Sequence, residues 1–105
     1  MRIVKLVYMR HKNIIKVLSG SHAMEILKEL NKSSSRFVEM ESFCPSKRTR
    51  YVRLKELEEN GLIRPVPKMI AHKSYTYYEV TDKGLKALKI GEKLLSINEP
   101  NNNGK

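Results

Sequence analysis

The chain has 105 residues, 40% of them hydrophobic, with 21 lysines and arginines against 11 acids and a formal net charge of +10. That length fits a single domain able to bury roughly two-thirds of its unfolded surface, and the apolar content excludes a disordered basic tail. The lone cysteine, Cys44, excludes an internal disulfide framework, no apolar run approaches the roughly 18 residues of a membrane span, and Arg2 and Lys5 interrupt the apolar start in a way unlike a signal peptide. The expectation is a small folded protein of a reducing, cytoplasmic compartment, with no membrane association and a polyanion as partner.

Residues 2–9 are apolar-rich without a decisive period, and a helix is expected there. Residues 12–18 read as a short helix with Ile14, Ile15, Val17 and Leu18 inward, stopped by Ser19 and Gly20. Ser21 is the expected cap of a second helix over 22–31, in which Met24, Ile26, Leu27 and Leu30 recur at helical spacing and Glu25 and Glu29 face out. After the polar break 32–35, Ser35 is the expected cap of a third helix over 36–43, with Phe37, Val38, Met40 and Phe43 inward. Cys44 ends it, because the residue before Pro45 is disfavoured in the helical region. Ser46 then caps a fourth helix over 47–60, and Gly61 marks its end.

Two strand-like runs follow. Residues 62–70 carry Pro65 and Pro67, which confine them to an edge strand. Residues 71–74 form a turn, and 75–80 are aromatic and β-branched, with Tyr78 and Val80 on one face and Tyr75, Tyr77 and Glu79 on the other. Thr81 or Asp82 caps a last helix reaching about residue 97, and 98–105 hold no apolar residue and are expected to be a disordered tail. The fold class is therefore mainly α with a small antiparallel β-hairpin. Short helices, a cationic helix and then a hairpin make the plan of a winged helix-turn-helix: a three-helix core with an N-terminal segment and a C-terminal helix, one domain over 1–97.

The charge is unevenly placed. Residues 1–20 carry Arg2, Lys5, Arg10, Lys12 and Lys16 and no acid, while 44–75 carry Lys47, Arg48, Arg50, Arg53, Lys55, Arg64, Lys68 and Lys73 against Glu56, Glu58 and Glu59. The three acids lie toward the end of the fourth helix, so its start is almost purely cationic.

Two stretches resemble signatures of bacterial and archaeal winged-helix transcription regulators of the MarR/HxlR/ArsR type: Leu54 to Ile63, with Leu57 and Gly61, and Tyr78 to Gly84, with Val80 and Thr81. Residues 36–40, Arg-Phe-Val-Glu-Met, are similar to the start of the third helix in HxlR-like members. The resemblance spans about 13–90 and implies a recognition helix over 46–60 that enters the major groove by its N-terminal residues, with a wing over 64–80 on the backbone or in the minor groove. Lys47, Arg48 and Arg53 then reach base edges or phosphates, and Ser46 and Thr49 offer hydroxyls. His72, Lys73 and Ser74 at the wing tip, with Lys68 nearby, are then expected on the backbone or in the minor groove. Arg36 either clamps a phosphate or forms a salt bridge. Arg50 stands where the family usually has an apolar residue, and it either touches DNA or reaches past the core to an acid such as Glu39 or Glu41.

The last helix carries Lys86, Lys89 and Lys93 on one stripe, while Leu85, Leu88, Leu94, Leu95 and Ile97 crowd the rest, more apolar surface than one side of a domain can bury. A homodimer is expected, with Ile3 and Val7 contributing from the N-terminal segment. Its two cationic helices would face successive major grooves about 34 Å apart. Double-stranded DNA is the expected partner, and the Lys- and Ile-rich composition points to an archaeal source. The alternatives are an architectural nucleoid protein of low sequence specificity and a winged helix that docks RNA or protein. Tyr75, Tyr77 and Tyr78 either stack on single-stranded bases or pack the hairpin, and Cys44 is either a redox sensor or a buried spacer. No Gly-rich phosphate loop, nucleophile–base pair or metal-ligand spacing is present among these residues, so catalytic, cofactor and metal roles are not expected, and the sequence names no small-molecule effector.

Overall fold

The computed structural model describes residues 14–97, so the expected helix over 2–9, with Ile3 and Val7, and the expected tail over 98–105 lie outside the described residues. In chain order come helical residues 14–18 (α1), α2 (Ala23–Lys32), the two-residue strand β1 (Ser35–Arg36), a 3₁₀ helix (Phe37–Ser42), α3 (Lys47–Glu59), β2 (Ile63–Ile70), β3 (Lys73–Val80) and α4 (Asp82–Ile97). The strands form one antiparallel sheet in the order β1-β3-β2. The architecture is a winged helix, mostly helical with a small sheet.

Two elements depart from the sequence reading, each for a local reason. Ser35 and Arg36 do not open a helix; they pair with Tyr78 and Tyr77 and so cover the second side of β3, whose backbone groups would otherwise face nothing. Only Phe37–Ser42 then remains before the Cys44-Pro45 stop, and it winds as a 3₁₀ helix, a form suited to such short pieces. Because side chains three apart eclipse in that helix, Phe37, Met40 and Phe43 turn together toward the core, and Val38, expected inward, is 60% exposed. Ser21 does not cap α2. His22 occupies the cap position with φ of 66°, and Ser21 is instead held by Arg53.

The core gathers Val17 from α1, Ile26, Leu27 and Leu30 from α2, Met40 and Cys44, Leu54 and Leu57 from α3, Leu62 and Ile63, and Ala87 and Leu88 from α4. Ile15 faces away from it. Both ends of α3 are firmly set. The Ser46 hydroxyl accepts from the Thr49 amide at 3.2 Å, as the sequence indicates. At the other end Gly61 takes a φ of 74°, and the amides of Gly61 and Leu62 bond back to the carbonyls of Glu58 and Leu57, which satisfies the last turn. Thr81 caps α4 by accepting from the Gly84 amide at 3.0 Å and donates to the Gly61 carbonyl at 2.6 Å, so a single hydroxyl joins the end of α3 to the start of α4. Gly84 lets α4 lie directly on the backbone of Leu62, because a Cβ there would overlap the Leu62 carbonyl oxygen.

The wing is a ladder from Ile63 paired with Val80 to Ile70 paired with Lys73. Pro65 and Pro67, two residues apart on one edge of the sheet, present their missing N–H groups to the open side, and the ladder stays unbroken. Strand β3 begins two residues earlier than expected, leaving Ala71 and His72 alone in the turn, both left-handed with φ of 50° and 69°. That is the backbone of a two-residue hairpin turn of the primed type, in which Asn-Gly is the unstrained pair. Replacing Ala71 by Asn and His72 by Gly together should raise stability by about 1 kcal/mol in urea unfolding. An unchanged or lower midpoint would show that the turn stores no strain.

Candidate nucleic-acid interface

Helix α3 carries five lysines and arginines, gathered toward its start, and its residues sort by direction. Arg50, Leu54 and Leu57 point into the protein, while Lys47, Arg48, Tyr51, Val52, Lys55, Glu58 and Glu59 point out. Ser46 is exposed at the cap and Thr49 is half-buried. Lys47 and Arg48 make no ion pair or side-chain hydrogen bond with the described residues, so the start of α3 presents two uncommitted cations beside the positive end of the helix dipole. The sequence reading missed Tyr51, Val52 and Lys55. Their signal lay in the phase of the helix, since 48, 52 and 55 recur at the spacing of one face.

Arg50 does not belong to this surface, and its partner is not an acid. Its side chain is buried, with Nε donating to the Cys44 carbonyl at 2.9 Å, Nη1 to the Phe37 carbonyl at 3.0 Å and Nη2 to the Pro45 carbonyl at 3.2 Å. The guanidinium also lies 4.6 Å from the centre of the Phe37 ring. Neither Glu39 nor Glu41 bridges it. The planar fork thus staples the start of α3 to the connection from the 3₁₀ helix, the turn of the helix-turn-helix.

Three further expected contacts are also occupied. Arg53 donates from Nε to the Ser21 carbonyl at 2.8 Å and pairs with Glu56 at 3.3 Å, tying α3 to the turn before α2. Arg36 is paired with Glu39 at 3.5 Å while its backbone amide donates to the same carboxylate at 2.8 Å, and its guanidinium lies 4.9 Å from the Tyr75 ring. Lys68 bonds Ser34 at 3.1 Å and sits 4.5 Å from the Tyr77 ring. Tyr75 and Tyr77 are therefore bases for cations on the outer sheet face, while Tyr78 packs with Val80 against the core. At the wing tip His72, Lys73 and Ser74 are exposed, as are Met69 and Ile70.

Cys44 is fully buried. Burial pushes its thiol above the usual range, outweighing the pull of Arg50 and Arg53, so the cationic surroundings do not activate it. Among the described residues no group of His, Cys, Asp and Glu side chains is placed to hold a metal ion, and no helix is long and apolar enough to cross a membrane.

A second surface lies along α4. Leu88, expected at an interface between copies, is buried in the chain's own core, and Leu85 is half-buried. Ile90, Leu94, Leu95 and Ile97 are exposed along α4, with Ile15 on α1 nearby, beside an apolar groove of about 390 Å³ that Leu18, Met24 and Ala87 also line.

This geometry, a capped cationic helix stapled to the preceding turn and followed by a wing, agrees with the comparisons to known proteins. The model for HxlR-like helix-turn-helix proteins matches residues 17–102. The chain belongs to that family. Membership of the HxlR-like family makes it a DNA-binding regulator of the helix-turn-helix kind. Among solved structures, a protein from Thermoplasma acidophilum assigned as a transcriptional regulator is 26% identical, with 79% of this chain and 87% of that one covered and a TM-score of 0.65. A PadR family transcriptional regulator from Eggerthella lenta shares the fold at 21% identity, covering 92% and 88% with a TM-score of 0.65. An ArsR-like transcriptional regulator from Rhodococcus shares it at 18%, covering 88% and 84% with a TM-score of 0.60. No protein of curated function matches the sequence.

Two outcomes follow from the packing of α3. Arg50→Met should lose on the order of 3 kcal/mol in urea unfolding, because carbonyls of the turn are left unpaired, and Arg50→Lys should recover less than half of that, since one ammonium cannot serve all three. A thiol reagent at pH 8 should modify Cys44 only as fast as the whole protein unfolds. Rapid modification under native conditions would show that the turn opens on its own.

Proposed function

We propose that the chain is a homodimeric, sequence-specific regulator of transcription that binds double-stranded DNA with the start of α3 in the major groove and the wing tip on the backbone or in the minor groove. The observation that carries this reading is the division of α3 into two faces. One face is fixed in the core through Arg50, Leu54 and Leu57, and the other offers Lys47 and Arg48 with no partner among the described residues. A rigid helix with uncommitted cations at its N-terminus suits contact with phosphates and base edges. Ser46, Thr49, His72, Lys73 and Ser74 complete the proposed contact set. Arg36, Lys68, Arg50 and Arg53 support it from behind, each already held by groups of the protein itself.

The second copy is proposed to cover the exposed apolar row Ile90, Leu94, Leu95 and Ile97 of α4, with Ile15 beside it. Exposed apolar surface of this continuity on a small domain favours association. Two copies related by a twofold axis would then present two α3 helices to one face of the duplex, in a cytoplasmic, nucleoid-bound complex.

The reading is tested by binding to duplexes across a salt series. A regulator prefers its own site over random duplex by about 10³-fold or more at physiological salt, whereas an architectural protein shows a steep salt slope with little preference. Arg48→Ala should weaken the preferred site by roughly ten- to a hundred-fold and relax its specificity. Lys73→Ala should weaken all duplexes alike and reduce the salt slope by about 1. Leu94→Glu should give a monomer in sedimentation at micromolar concentration where the wild type is a dimer. A wild type that sediments as a monomer, or that prefers RNA, would be incompatible with the proposal.

A further inference from the structure

Val52 and Tyr51 stand at the middle of the outward face of α3, 37% and 59% exposed. Val52 lies one turn after Arg48 and just under a turn before Lys55, on the same side of the helix. A β-branched residue is a poor choice for an exposed position inside a helix, because its rotamer freedom is reduced there and water does not reward its methyl groups. Its neighbours on that face toward the start and middle of the helix, Arg48 and Lys55, with Glu59 two turns on at the helix end, fit a ligand that is anionic at the rim and apolar at the floor. The major groove of duplex DNA has that character: phosphates line its edges, and the thymine 5-methyl is the apolar group that a base pair offers on its floor.

We infer that Val52, flanked by Tyr51, is a specificity-determining residue that reads thymine 5-methyl groups, so that the preferred duplex carries A·T pairs beneath the middle of α3. The inference rests on the DNA-binding reading above and names the base feature which that surface distinguishes. Contacts made by the exposed Met69 and Ile70 in a minor groove are blind to the same group, because the methyl projects only into the major groove.

The test begins by enriching a preferred duplex from a random-sequence pool with the full-length protein. That duplex is then made twice, with thymine and with uracil at every thymine position, and dissociation constants are measured by fluorescence anisotropy at one salt concentration. Wild type should bind the uracil duplex about four-fold more weakly for each methyl it contacts. Val52→Ala should bind both duplexes alike, and Val52→Thr, which keeps one of the two methyl groups, should retain sensitivity. The urea midpoint of each variant confirms that the exposed substitution leaves the fold intact. Equal binding of wild type to both duplexes overturns the inference, as does a Val52→Ala variant that stays as sensitive as wild type. Duplex binding without enrichment of any sequence overturns it too. Failure to bind any duplex instead removes the DNA-binding reading, and this inference with it.

Discussion

A positive charge sits inside this small protein with no acid among the described residues to meet it. The Arg50 guanidinium is buried against the carbonyls of Phe37, Cys44 and Pro45 and the face of the Phe37 ring. A buried charge is tolerated only when its donors are used, and the fork shape of arginine lets one side chain serve three acceptors, one in the 3₁₀ helix and two in the turn that follows it. The direction of α3 follows from this. With Arg50 drawn to the turn and Leu54 and Leu57 in the core, the helix can rotate very little about its axis, and Lys47, Arg48, Tyr51, Val52 and Lys55 are left facing solvent.

The same rigidity passes to the wing through a few backbone-level contacts. Gly61 reverses the chain after α3, and Thr81 bonds the Gly61 carbonyl while capping α4. The Thr81 amide donates to the Leu62 carbonyl, against which Gly84 allows α4 to rest. Helix, hairpin and final helix are thereby joined at one point. The hairpin leaves that point as an eight-residue ladder with a tight turn, so its tip is a fixed extension of α3's frame and not a loose loop.

Much of the positive charge serves the fold. Of the cations in residues 44–75, Arg50 is buried, Arg53 holds the turn before α2, Arg64 pairs with Glu79 at 3.2 Å, and Lys68 bridges to Ser34 over Tyr77. Lys55 lies 5.8 Å from the centre of the Tyr51 ring on the outward face of α3, and Lys47, Arg48 and Lys73 remain at the start of α3 and at the wing tip, the places where a winged helix meets a duplex. A net charge describes how strongly such a protein attracts a polyanion. The uncommitted cations describe where it would touch one.

The sequence by itself determined the order and type of most elements, because the signals are local. Ser46 and Thr81 cap where they stand, Gly61 ends α3, and Pro65 and Pro67 mark an edge strand through groups they lack, none of which needs a distant partner. It also placed the cationic helix start and the apolar excess of α4. Only the tertiary structure decided which of those residues face out. Ser35 and Arg36 became a strand because β3 offered an unpaired side, and Val38 turned outward because the shortened segment wound as a 3₁₀ helix. Ser21 became an acceptor for Arg53, a residue more than thirty positions away. Arg50 and Leu88, each readable as a contact for a partner, were claimed by the interior, since burial depends on packing between elements that no local pattern specifies.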